Sequence, residues 1–75
     1  MQEEIAPAIA RKIIEADVAL WRNTLYQATV RMRVSARAGN KEIEKEALKD
    51  AENAQKMLDG YEAELATLPK ETENV

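Results

Sequence analysis

Residues 32–47, MRVSARAGNKEIEKEA, decide the fold, because the Gly39-Asn40 step separates two amphipathic stretches. Glycine suits the left-handed residue that closes a helix, and asparagine is a favourable cap for the start of the next one. Glu42 and Glu44 follow in the opening turn of the second stretch, where acidic side chains complement the helix dipole. These residues therefore predict a tight turn between two helices.

The outer limits of the helices are marked by the two prolines. Pro7 has a fixed φ and lacks an N–H, so it belongs in a first helical turn, whereas Pro69 stops a helix that precedes it. The predicted segments are an N-terminal arm or frayed turn (1–6), helix 1 (about 7–38), the turn (39–40), helix 2 (about 41–68) and a flexible acidic tail (69–75).

Apolar residues mirror one another about the turn. If its centre lies between Gly39 and Asn40, residue i of helix 1 is level with residue 79 minus i of helix 2. The apolar positions then pair at alternating steps of three and four, as in a coiled-coil seam. The pairs are Met32 with Ala47, Ala28 with Ala51, Leu25 with Ala54, Trp21 with Leu58, Val18 with Tyr61, and Ile14 with Leu65. The sequence predicts an all-α, antiparallel two-helix hairpin, with Trp21 in its core rather than in a binding site.

Helix 1 carries a second apolar stripe, roughly 150° from the first on a helical wheel. Helix 2 cannot cover both stripes, so we expect helix 1 to contact another chain and the hairpin to oligomerise into a helical bundle. The expected occupant is a second copy or a helical protein partner. The predicted interface residues are Ile9, Ile13, Ala16, Leu20, Asn23, Gln27, Val30 and Val34.

Two polar residues, Asn23 and Gln27, interrupt this stripe and leave two interpretations open. If they pair across the interface, they fix its register and the oligomer number at some cost in stability. If the interface ends before them, only the half from Ile9 to Leu20 is buried.

Composition also favours oligomerisation. A chain of 75 residues has a small core and usually needs additional stabilisation. Cysteine and histidine are both absent, which excludes disulfides and the common zinc ligands. We therefore expect no metal or cofactor, and association with another chain is the remaining source of stability.

Charge is divided between the helices. Helix 1 has six basic residues against Glu15 and Asp17, a net of plus four, and helix 2 has four lysines against eight acids, a net of minus four. Four arginines of helix 1 share a solvent-facing arc: Arg11, Arg22, Arg33 and Arg37. Contact of this arc with RNA or DNA in a dimeric regulator is the alternative function. The acidic net charge of minus three favours a solvated face instead.

Catalytic chemistry has little support. There is no histidine or cysteine to act as base or nucleophile, and no glycine-rich phosphate loop, so we expect neither an enzyme nor a small-molecule substrate. Asp50 lies level with Thr29, which predicts a local hydrogen bond between them. Gly60 falls within helix 2 without an evident reason.

The pattern from Pro7 to Leu68 resembles, in architecture alone, the helical hairpins that dimerise into four-helix bundles, such as the plasmid-encoded RNA-binding regulator of copy number. It is also similar to hairpin chaperones of type III secretion and to small coiled-coil phage proteins. The residues favour a structural or adaptor protein that acts in a homo-oligomer or a larger assembly. Acids at the N-terminus and the lack of a long apolar run predict a cytoplasmic protein, or one assembled into a particle there, without a membrane span.

Overall fold

The computed structural model describes residues 5–69, which form two helices packed against each other. Helix α1 is Pro7–Ala38 and helix α2 is Lys41–Ala66. The described residues contain no strand, so the predicted all-α hairpin is confirmed. Residues 1–4 of the predicted arm and residues 70–75 of the predicted tail lie outside the described part.

The turn joins the helices through local backbone chemistry. Gly39 adopts φ 75° and ψ 17°, the left-handed conformation that a side chain disfavours. Its N–H donates to the carbonyl of Ala36 at 3.1 Å, and the N–H of Asn40 donates to that of Ser35 at 2.9 Å. The Asn40 Oδ1 accepts from the N–H of Ile43 at 3.2 Å and caps α2. This Schellman turn holds the helices antiparallel with a connection of only two residues.

The other helix ends follow from the prolines. Ala6 precedes α1 with an extended backbone (φ −56°, ψ 141°), which is the region that a following proline favours. Helix α2 ends at Ala66, two residues before the predicted end at about residue 68. The N–H groups of Thr67 and Leu68 bond to the carbonyls of Glu64 and Leu65 in a tightened last turn. Pro69 disfavours the helical region for Leu68, which explains the earlier end.

The core is a narrow seam between the helices. The buried residues agree with the predicted pairing. Six apolar residues of the seam are buried, and four of them are alanines: Val18, Ala28, Ala47, Ala51, Ala54 and Leu58. The larger seam residues, such as Trp21 and Tyr61, are only half-buried. Ser35 is also buried and extends the seam one turn beyond Met32 toward the connection. A seam made largely of alanine brings the helices close together but removes little apolar surface from water.

Candidate interaction surface

Two ion pairs between the helices mark opposite sides of the hairpin. On one side, Arg31 Nη1 donates to Asp50 Oδ2 at 3.0 Å. On the other side, Arg22 Nη2 lies 3.8 Å from Glu62 Oε2. We refer to these as the Arg31 side and the Arg22 side. Both pairs are largely exposed and contribute little stability, but they establish which residues of each helix share a side.

The Arg31–Asp50 contact corrects one expectation. Thr29 was predicted to bond with Asp50, but its hydroxyl donates to the carbonyl of Leu25 at 2.8 Å within its own helix. A threonine hydroxyl in a helix readily reaches the carbonyl four residues back. The longer arginine side chain reaches Asp50 from two residues further along α1.

The Arg31 side is rich in exposed apolar side chains. Ile13 precedes Arg31 by about five helical turns and Leu20 precedes it by about three, so both point to the same side of α1. Met57 follows Asp50 by about two turns and therefore shares that side of α2. Ile13 is 51% exposed and Leu20 is 64% exposed. Together with Ile9, these residues form the surface that we call the Ile13 surface: Ile9, Ile13, Leu20 and Met57.

Most of the predicted interface residues are accessible. Within the described residues, seven of the eight are exposed and Val30 is half-buried: Ile9, Ile13, Ala16, Leu20, Asn23, Gln27, Val30 and Val34. They are not all on one side, however. Ala16, Asn23, Val30 and Val34 are displaced by roughly 60–100° from Arg31 around α1 and face away from α2. The other four lie within about 40° of Arg31, on the Arg31 side: Ile9, Ile13, Leu20 and Gln27. The large apolar residues among these four are confined to the half from Ile9 to Leu20.

Gly60 lines a shallow groove on α2. The groove is lined by Met57, Gly60, Tyr61 and Glu64. Met57, Tyr61 and Glu64 lie roughly 20–40° from Asp50 around the helix, so the groove opens toward the Arg31 side, with Gly60 about 80° from Asp50 at its outer edge. By the pairing about the turn, Gly60 is level with Ala19, one residue from Leu20. The groove thus extends the Ile13 surface across both helices.

Sequence reasoning missed Met57 and the groove. A stripe of regularly spaced apolar residues predicted the surface of helix 1, but helix 2 contributes only one large apolar side chain at this point. The signal that was present is the combination of Met57 and Gly60 one turn apart on a helix otherwise covered with charged residues.

The four arginines of the predicted basic arc differ in their surroundings. Arg11 Nη2 donates to the carbonyl of Pro69 at 3.0 Å, and Arg22 pairs with Glu62. Arg33 and Arg37 are exposed near the turn. Two members of the arc therefore contact the C-terminal part of the hairpin, an arrangement that a solvated helix face also produces.

The described residues present an exposed apolar surface and no group of metal-binding side chains. Among residues 5–69, no three acidic side chains converge as a metal site would require. Over the same range, neither helix is both long and apolar enough to cross a membrane. The chemistry that this part of the chain offers is burial of the Ile13 surface.

Comparisons with family models, with curated proteins and with solved structures give no match. The function must therefore be inferred from the chemistry of the hairpin itself.

Proposed function

We propose that this chain is a non-enzymatic protein–protein interaction module, a helical-hairpin structural or adaptor protein that self-associates through the apolar stripe of α1. The exposure of Ile9, Ile13 and Leu20 on a well-formed helix is the observation that carries the proposal. Action in the cytoplasm, or in a larger assembly built there such as a phage particle or a secretion complex, is part of the proposal.

Burial of the exposed apolar stripe would contribute a free energy comparable to the stability of the hairpin itself. Fully burying one isoleucine or leucine side chain contributes about 1.5–3 kcal/mol. The stripe leaves Ile9, Ile13 and Leu20 more than half exposed, while the seam buries mainly alanines. A hairpin of this size has only a few kcal/mol of stability, so covering the stripe would change its stability by a comparable amount. Association is then a major source of stability.

Molecular mass measured against concentration tests this proposal. Sedimentation equilibrium of the full chain between about 1 and 100 µM should give a multiple of the 8.4 kDa monomer mass. Circular dichroism at the same concentrations should show helicity that falls on dilution, because dissociation removes a large share of the stability. A fully helical 8.4 kDa monomer throughout this range would overturn the proposal.

A further inference from the structure

Nothing in the described residues 5–69 explains Gly60. Glycine inside a helix costs about 1 kcal/mol relative to alanine. The left-handed backbone that justifies glycine occurs at Gly39 but not at Gly60. A β-carbon built on Gly60 would meet no atom of the described residues within 4 Å, so the packing of α1 does not require its absence. A contact from outside the hairpin would account for glycine at this position.

The groove around Gly60 suits one large apolar side chain. Met57 and Tyr61 provide apolar walls, and the missing side chain at position 60 leaves the outer edge open to a close approach. Leu20 is the most exposed aliphatic side chain of α1 and lies within one residue of the same level along the hairpin. Leu20 of one copy can therefore enter the Gly60 groove of another if the two copies pack without a shift relative to each other along the helix axis.

Charge selects the arrangement of that second copy. Helix α1 carries a net charge of plus four and α2 a net charge of minus four, both within the described residues. A two-fold axis parallel to the helices places α1 of each copy against α2 of the other, so basic and acidic helices alternate around a four-helix bundle. A two-fold axis perpendicular to the helices would place α1 against α1 and α2 against α2. The acidic surface of α2 on the Arg31 side, with Asp50 and Glu64, would then face the same surface of the other copy, which is unfavourable.

We propose that a second copy of this chain covers the Ile13 surface about a two-fold axis parallel to the helices, with Leu20 of each copy seated in the Gly60 groove of the other. The inference rests on the proposed self-association and adds its geometry. It accounts for the glycine, because a β-carbon at position 60 would occupy the space that the partner's leucine fills. It also confines the interface to the half of α1 between Ile9 and Leu20.

Disulfide trapping tests the geometry directly, because the natural chain has no cysteine. Full-length chains carrying Leu20→Cys or Gly60→Cys, one of them with a tag that changes its mass, are mixed and equilibrated in a glutathione redox buffer. Each chain has one thiol, so every disulfide joins two chains. Disulfides form when the two Cα atoms lie about 4.4–6.8 Å apart. Asp59→Cys is the matched control, at the same level but about 100° around α2.

The proposal expects the mixed Leu20→Cys and Gly60→Cys product to exceed the mixed Leu20→Cys and Asp59→Cys product by about tenfold or more. If the Leu20→Cys chain instead crosslinks mainly with itself, the α1 helices face each other and the geometry is wrong, although self-association stands. Equal, low yields for all pairs from a chain that sediments as a monomer would overturn both the geometry and the proposed function.

Gly60→Ala gives a second test that does not depend on thiols. Alanine favours the helix, so the hairpin itself should become more stable. The dimer should nevertheless dissociate about tenfold more readily, because the added methyl group forces the partner's Leu20 out of the groove. An unchanged or tighter dimer would show that the partner does not approach Gly60.

Discussion

Leu20→Ala is the most informative single change, because Leu20 should stabilise the dimer far more than the hairpin. Leucine and alanine both favour the helix, so the substitution should not disturb α1 itself. Leu20 is 64% exposed in the hairpin. Most of its apolar surface is therefore available for burial by a partner, and little of it contributes to the seam.

The expected magnitude follows from this exposure. Full burial of a leucine side chain contributes about 1.5–3 kcal/mol, and roughly two thirds of this surface is left for the interface, or about 1–2 kcal/mol. A symmetric dimer contains the residue twice, so the loss is about 2–4 kcal/mol. Alanine retains the β-carbon, which favours the lower end, and 2 kcal/mol corresponds to a roughly 30-fold higher Kd.

Sedimentation equilibrium provides the assay, with Tyr26→Ala as the matched control. Tyr26 lies on the same helix, is 66% exposed and follows Arg22 by one turn on the Arg22 side. Its replacement should leave the dissociation constant within about threefold of the natural chain, because alanine also favours the helix and no interface contact is lost. Circular dichroism should show both variants to be as helical as the natural chain at a concentration where each is dimeric.

Equal effects of the two substitutions would refute the reasoning. They would mean that exposure alone, and not position on the Arg31 side, determines which residues stabilise the assembly. If only Tyr26→Ala raised the dissociation constant, the interface would lie on the opposite side of the hairpin.

Two further perturbations separate the seam from the interface. Ile13→Asp should lower the sedimenting mass, since it places a charge on the Ile13 surface. Leu58→Asp should instead abolish helicity, since it buries an unpaired carboxylate at a site that is 4% exposed. Matching losses of helicity and mass for both variants would contradict the assignment of faces. Replacing Asn23 and Gln27 together by leucine should leave mass and melting temperature almost unchanged, since both lie beyond Leu20, where the proposed interface ends. A raised melting temperature with altered mass would show that the interface runs along the whole of α1.

The features that were predictable from sequence depend on local chemistry. The left-handed residue at Gly39, the cap at Asn40 and the proline at the start of α1 each act through the backbone within a few residues. The seam was predictable as well, because a two-residue turn fixes the pairing of every later residue. These constraints do not depend on a partner or on side-chain length.

The features that were missed depend on distances in three dimensions. The partner of Asp50 could not be obtained from level alone, because the long side chain of Arg31 reaches Asp50 from two residues beyond its level. The end of α2 depended on a balance between continuing the helix and the restriction that Pro69 imposes. The Gly60 groove is lined by a mixture of glycine, glutamate and apolar residues of α2, so no regular apolar stripe marked it in the sequence. The direction of the apolar stripe was likewise visible only relative to the two ion pairs.

The two-residue connection also determines the order in which the hairpin can fold. Formation of this turn brings Ser35 level with Glu44. Each later pair of residues then closes only a short loop, because the pair before it has already brought the two helices together. Such local contacts are typical of chains that fold in microseconds to milliseconds. The single tryptophan, Trp21, lies in the fourth of the six seam layers from the turn, so its fluorescence reports on the arrival of pairing at the middle of the hairpin. That layer lies beside Leu20 and Gly60, so the proposed contact with the second copy becomes available before the last two layers have closed.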